Sequence, residues 1–318
     1  MSDQPPLAER QAAKMRELLD VLTLTPLGRA QIAVTGIESD QPTSIGTDGA
    51  DVFEGASIKQ VHNRTFGGQV LAQALTAASL TIREETPQRL PHSLHAYFMR
   101  PGDDSLPIRF AVERMRDGRS FATRRVHAIQ HSRPILSLTA SFQDPAGGLD
   151  HQDPMPEAPA PETLTSQNSF YDAFDHPMAR RLAERPFDHR YPDGDVHLRP
   201  SAELVAAQRV WVRAIAEPMT DPFLACAVLA FLSDFSLLEP ILRRHGLAWS
   251  DRRLRPASLD HAMWFHRPVD PTRWLLYDQT SPSAQSGRGL STGRFFTEDG
   301  ALVASVAQEG MMRVKTDG

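Results

Sequence analysis

The polar and apolar positions change rhythm several times along the chain. From residue 8 to 24 the apolar positions recur at helical spacing, with Met15, Leu18, Leu19 and Leu22 on one face. Residues 39 to 57 are polar and glycine-containing and read as a loop. "FGGQVLAQALTAASLTI", Phe66 to Ile82, reads as a long helix opened by two glycines and rich in small residues, able to lie close against strands. Four alternating stretches follow: "SLHAYFMRP", "LPIRFAVERMRDG", "RSFATRRVHAIQH" and "RPILSLTASFQD". Pro-Gly at 101–102, Asp-Gly at 117–118 and "HSRP" at 131–134 separate them, so they predict antiparallel strands. In the fourth, Leu136, Leu138, Ala140 and Phe142 share one face, and Ser137, Thr139 and Ser141 the other.

Residues 144 to 162 carry five prolines and two glycines and predict a stiffened linker. The first texture then returns. Ala202 to Leu242 reads as helical, and "ASLDHAMWFHRP", "RWLLYDQTSP", "SGRGLSTGRFFTEDG" and "ALVASVAQEGMMRV" read as strands. Arg100-Pro101 matches Arg267-Pro268 at an offset of 167, Gly118-Arg119 matches Gly287-Arg288 at 169, and "PILSLTAS" matches "ALVASVAQ" at 167, which aligns Gln308 with Ser141. A nearly constant offset argues for one fold used twice. The expected architecture is α+β, two tandem repeats of a helix with an antiparallel sheet, in a first unit at 1–145 with a helical extension, a connecting segment at 146–200, and a second unit at 201–318.

Composition narrows the function. Of the chain's 318 residues 41% are hydrophobic, and the net charge of -5 gives no reason to expect a nucleic-acid partner. Among 34 basic residues only Lys14, Lys59 and Lys315 are lysine. The lone Cys226 excludes a disulfide framework within the chain and reads as a small buried hydrophobe in a reducing compartment. No apolar run is long enough to span a membrane, no secretory h-region opens the chain and no Ser-Lys-Leu ends it, so a cytoplasmic setting without membrane insertion is expected.

One carboxylate stands out. In "AFLSDFSLLEPIL", read as a helix, Phe231, Asp234, Phe235 and Leu238 fall on one stripe, so Asp234 needs partners or a raised pKa. Asp260, His261 and His266 do not form a metal-ligand pattern, because alternation turns His261 away from the other two. No Gly-x-Ser-x-Gly elbow supplies a serine nucleophile. In "GRGLSTG" the glycines suit a tightly curved strand better than a dinucleotide loop.

Six blocks, "FGGQVLAQAL", "HSLHAYFMRPGD", "RDGRSFATRRVHAIQ", "LTASFQ", "SLDHAMWFHRP" and "LVASVAQEGMMR", run in order from Phe66 to Arg313 and together resemble the acyl-CoA thioesterase II family. The resemblance implies a double hotdog fold, hydrolysis of acyl-CoA to free acid and CoA, and neither metal, cofactor nor covalent intermediate. It places the catalytic Asp on Asp234, the hydroxyl residue on Ser258, where many members have Thr, and the Gln on Gln308. Gly67 and Gly68, with free amides at a helix start, and the nearby His62 are substrate-binding candidates. Arg100, Arg119, Arg267 and Arg288 read as structural or solvated, with CoA phosphates the alternative. The acyl chain is expected between helix and sheet, and self-association of the chain is expected. The rival readings are a hotdog enoyl-CoA hydratase-type lyase and a non-catalytic acyl-CoA binding module.

Overall fold

The computed structural model describes residues 5–35 and 42–315. In chain order the elements are α1 (Leu7–Leu22), β1 (Thr25–Thr35), β2 (Pro42–Gly55), α2 (Gly67–Arg83), β3 (Leu90–Phe98), β4 (Ile108–Asp117), β5 (Phe121–Gln130) and β6 (Arg133–Gln143). Then come α3 (Gln167–Asp172), α4 (Pro177–Ala183), β7 (Phe187–Arg190), β8 (Ala207–Ala214), α5 (Pro222–Ser233) and α6 (Glu239–Arg244). The chain closes with β9 (Leu254–Ser258), β10 (Asp260–Phe265), β11 (Leu275–Gln285), β12 (Arg288–Thr297) and β13 (Leu302–Val314).

Among the described residues the strands form one 13-stranded antiparallel sheet, ordered β1-β2-β4-β5-β6-β3-β10-β13-β12-β11-β8-β7, with β9 beside β13. The order β2-β4-β5-β6-β3 repeats as β8-β11-β12-β13-β10, each block with one long helix after its first strand. This is a double hotdog. The halves meet where β3 pairs with β10, from Asp260 opposite Tyr97 to Trp264 opposite Ser93. Helices α2 and α5 pack on each other, and one apolar core runs through both halves. The buried Leu136, Leu138, Ala140 and Phe142 contribute the inner face of β6, as their alternation predicts. Cys226 is buried in α5, and burial raises its thiol pKa to about 12, so it packs rather than reacts.

Three expectations give way. The segment 42–55 is a strand, not a loop, because β4 and β1 pair with it on either side and hold its polar residues in register. Residues 39–41 lie outside the described part. Within 202–242, Ala207–Ala214 is a strand: Val210, Trp211 and Val212 are all buried, since the linker covers the outer face and Pro159 O accepts the Trp211 indole N–H at 2.8 Å. Ala230–Leu242 is not one helix. α5 ends at Ser233, Asp234 is its C-cap, and α6 restarts with Pro240 in its first turn, where the missing N–H costs no helical bond. In the connecting segment, Phe187–Arg190 adds a strand to the second half by pairing with β8.

The repeat also corrects its own alignment. Met99 N–H donates to Ile135 O and His266 N–H donates to Val303 O in equivalent positions. The offset is thus 167 on β3 (99 to 266) but 168 on β6 (135 to 303), which places Gln308 over Ala140 rather than Ser141. Three of the repeated arginines are structural here: Arg100 donates to Pro134 O at 2.7 Å, and Arg267 to Leu302 O at 2.9 Å and to Asp150. Arg288 pairs with Glu309, and Arg119 is exposed.

Candidate active site

Asp234 reaches its position because the α5 helix stops. Asp221 caps the start of α5, accepting from the N–H groups of Phe223 and Leu224, with Pro222 at the first turn. At the other end Ser233 folds its hydroxyl back to within 2.8 Å of Ala230 O, and the chain leaves through Asp234. The carboxylate then lies at the start of α2. A Cβ built on Gly67 would come within 2.8 Å of Asp234 Oδ2, and one on Gly68 within 2.5 Å of Phe231 O. Any side chain at these positions would push the helices apart or displace the carboxylate. Gly68 N–H also donates to Asp234. The glycine pair therefore serves close packing and an anion at a helix N-terminus together.

The remaining partners arrive from the sheet. Gln308 Nε2 donates to Asp234 Oδ1 at 2.7 Å and to Ser258 Oγ at 2.7 Å, and Ser258 Oγ stands 3.4 Å from Asp234 Oδ1. The three side chains named from the sequence thus meet at one point. Gln308 is 1% exposed, so it is an interior residue rather than a solvated strand end. Ser258 turns toward it where β9 gives way to β10: Leu259 N–H donates to Glu309 O and Leu259 O accepts from Phe98 N–H. Burial lifts the Asp234 pKa to about 6, and hydrogen bonds from Gln308, Gly68 and Ser258 hold it from going higher. His62 sits exposed in the turn at 61–63, and no described hydrogen bond joins it to this cluster.

The sequence reading missed His261. Ala262 pairs with Ala307, so His261 lies beside Gln308 across β10 and β13, facing the interior and fully buried. Its Nε2 is 2.9 Å from Ser233 Oγ, at the end of α5. Burial lowers its pKa to about 4, a shift that the neighbouring Gln308 side chain, as an acceptor, only partly offsets, so the imidazole is neutral. Neither His261 Nδ1 nor Gln308 Oε1 has an aligned partner among the described residues. The alternation of "DHAMWF" puts His261 on the same face as the buried Met263, but only the β10–β13 register shows what it meets. Asp260 instead accepts Glu309 N–H at 2.7 Å, and His266 lies 2.8 Å from Ser305 Oγ.

The sequence matches both halves of a known plan. A family profile described as acyl-CoA thioesterase N-terminal domain matches residues 56–143, and one described as acyl-CoA thioesterase matches residues 184–311. An acyl-CoA thioesterase 2 from Haemophilus influenzae is 38% identical over 269 residues, covering 82% of this chain and 92% of its own. The chain belongs to the acyl-CoA thioesterase II family. It is a thioester hydrolase of that family, as the blocks from Phe66 to Arg313 led us to expect. The crystal structure of an acyl-CoA thioesterase II from Mycobacterium marinum superposes with a TM-score of 0.70 at 37% identity, covering 95% of this chain and 99% of that one. A hot dog fold protein from Alicyclobacillus acidocaldarius gives 0.70 at 19% identity, covering 94% and 99%, and supports the fold alone. No helix among the described residues is long and apolar enough to cross a membrane.

Proposed function

We propose that this chain hydrolyses acyl-CoA thioesters to a free acid and CoA, using Asp234 as general base for a water that attacks the thioester directly. The observation that carries the reading is the Asp234–Gln308–Ser258 cluster at the start of α2, with a carboxylate whose pKa sits at about 6. A base with that pKa is largely ionised at neutral pH yet still takes a proton readily. Ser258 accepts from Gln308 and turns its own O–H toward Asp234, in a long bond that a water can replace. The 3.4 Å contact between Ser258 and Asp234 is the loosest edge of the triangle. A water entering there accepts from Ser258 and donates to Asp234, with a lone pair left for the carbonyl carbon.

In the step itself the water oxygen bonds to the carbonyl carbon and its proton passes to Asp234. The oxyanion develops beside the positive end of α2. Collapse breaks the C–S bond, and the proton on Asp234 goes to the CoA sulfur. Water has then delivered hydroxyl to the acid and hydrogen to the thiol, and Asp234 is regenerated.

His261 acts in this reading as a positioning residue. Ser233 has one proton and two acceptors in reach, Ala230 O and His261 Nε2. When Ser233 donates to Nε2, the neutral imidazole carries its hydrogen on Nδ1, on the side of Gln308. The otherwise unpartnered Gln308 Oε1 is then offered a donor, which favours the amide with both N–H groups toward Asp234 and Ser258.

A thiol-release assay across acyl-CoAs from short to long, run beside Asp234→Asn, tests the reading. The expected result is release that falls by about 10³-fold in the variant with little change in KM. Near-normal release by the variant removes Asp234 from the chemistry. Loss of an enoyl double bond without thiol release favours a lyase, and acyl-CoA binding without release a binding module. A cytoplasmic setting and self-association of the chain belong to the same proposal, and a monomer mass by light scattering would remove the second.

A further inference from the structure

A cavity of about 620 Å³ opens between α1, the loop at 58–61 and α4. Its inner wall is aromatic: the rings of Phe66, Phe231 and Phe235 pack edge-on or tilted, with centroids 4.8 to 5.6 Å apart. Two of these are chain neighbours of the catalytic groups, since Phe66 precedes Gly67 and Phe235 follows Asp234. The wall and the carboxylate thus share the same two backbone turns, one residue step of about 3.8 Å apart. The rim is basic, with Lys14, Lys59, Arg181 and Arg185 among the lining residues.

These four cations are not equivalent. Lys14 pairs with Glu17 at 2.7 Å and Lys59 with Asp104 at 3.2 Å, while the acidic Glu184 of the same rim is taken by Arg10. Arg181 and Arg185 have no carboxylate within ion-pair distance among the described residues. Arg181 donates only to Gln60 Oε1, at 3.2 Å. Arg185 lies 3.2 Å from His197 Nε2 and stands over the Phe235 ring at 5.0 Å. Arg181 in the last turn of α4 and Arg185 just beyond its end repel each other, and partial burial and the neighbouring Arg185 charge lower the Arg181 pKa. An anion at this rim removes that repulsion, and an apolar arm attached to it has an aromatic wall leading to Asp234.

We propose that this cavity docks the CoA half of the thioester, with Arg181 and Arg185 binding its phosphates and the Phe66–Phe231–Phe235 wall guiding its pantetheine arm to the catalytic carboxylate. The assignment rests on the acyl-CoA reading above and adds to it the place where the nucleotide end is held. Guanidinium forks suit phosphate, and aromatic rings beside an arginine suit a long, partly apolar arm. Of the repeated arginines that first suggested phosphate contacts, Arg100, Arg267 and Arg288 are committed elsewhere, to carbonyls and carboxylates.

The test uses calorimetric titration of the full chain with CoA and with pantetheine, which has the arm but no phosphate. Arg181 is only partly covered and makes one side-chain hydrogen bond, to Gln60, so Arg181→Glu disturbs little packing, and Arg109→Glu on β4, away from the cavity, controls for net charge. The expected result is a loss of at least about tenfold in CoA affinity for Arg181→Glu, the order of a charge-assisted bond. Pantetheine affinity should hold within about twofold, and the loss should shrink as salt screens the rim. Equal weakening of both ligands, unchanged CoA affinity, or the same loss in Arg109→Glu overturns the proposal. Thiol release by the unaltered chain, measured in parallel, separates the two claims: no turnover counts against the hydrolase mechanism, whereas the titration reports docking whether or not hydrolysis occurs.

Discussion

The two halves of the molecule share a strand order and differ where the chemistry sits. With the structural offsets, Pro91, Leu94 and Ala140 of the first half stand where Ser258, His261 and Gln308 stand in the second. All three first-half residues are buried and apolar, and Leu94 and Ala140 belong to the common core. The fold therefore does not need polar groups at these sites. The second half carries three of them together, Gln308 bonded to Ser258 and His261 beside Gln308, around a carboxylate that its own shortened helix exposes: α5 has 12 residues against 17 for α2. A buried polar group without a partner costs a few kcal/mol. Their joint presence in one half, where the other half manages with apolar residues, is what the proposed chemistry accounts for and the fold does not require.

That comparison can be broken by moving second-half residues toward first-half ones. Gln308→Ala, which installs the first-half residue, is expected to lower kcat by about 10²- to 10³-fold, because it removes both donors that fix Asp234 and Ser258. Thiol-release kinetics check it. His261→Leu, the Leu94 equivalent, keeps the volume and loses the hold on Gln308. Its kcat should fall by about tenfold to a hundredfold with KM unchanged, and His261→Gln should restore part of it. A change in KM alone would mean that His261 is merely packing.

The pH dependence is sharper than either substitution. Asp234 must be ionised to act, so kcat should drop as pH falls through about 6. Stability runs the other way. The folded pKa lies above the unfolded value of 3.8, so the folded state holds the proton more tightly; this contribution is present below about pH 4 and is lost as pH rises to about 6. Asp234→Asn should flatten the melting temperature in that window while activity disappears. The smallest effect is expected for Ser258→Thr, which keeps the hydroxyl and should stay within about threefold of the parent in kcat.

Much of the sheet could be read in advance. Strands β3 to β6 declare themselves through period-2 alternation and turn residues, because one face is buried and the other solvated. β2 and β8 do not: the first is polar and takes its order from its neighbours, and the second is covered on both faces, so its apolar run blends with the helix that follows. Asp234, Ser258 and Gln308 are each ambiguous alone. A carboxylate at a helix end, a serine at a strand start and a glutamine on an apolar strand all have ordinary explanations. The family resemblance named them, and the register of β13 against β9 and β10 shows why they meet. His261 stayed hidden because its partner lies 47 positions away at Gln308, across a register that alternation does not give.

The claim that matters most is that water attacks the thioester carbonyl itself, held by Asp234, Ser258 and Gln308. A single turnover in ¹⁸O-labelled water, with excess enzyme over acyl-CoA, reads this directly by mass spectrometry of the released acid and of the peptide containing Asp234. The account predicts one labelled oxygen in the acid and none in the peptide. Label in the Asp234 carboxylate, with unlabelled acid from the first turnover, would show a covalent acyl-aspartate and contradict it.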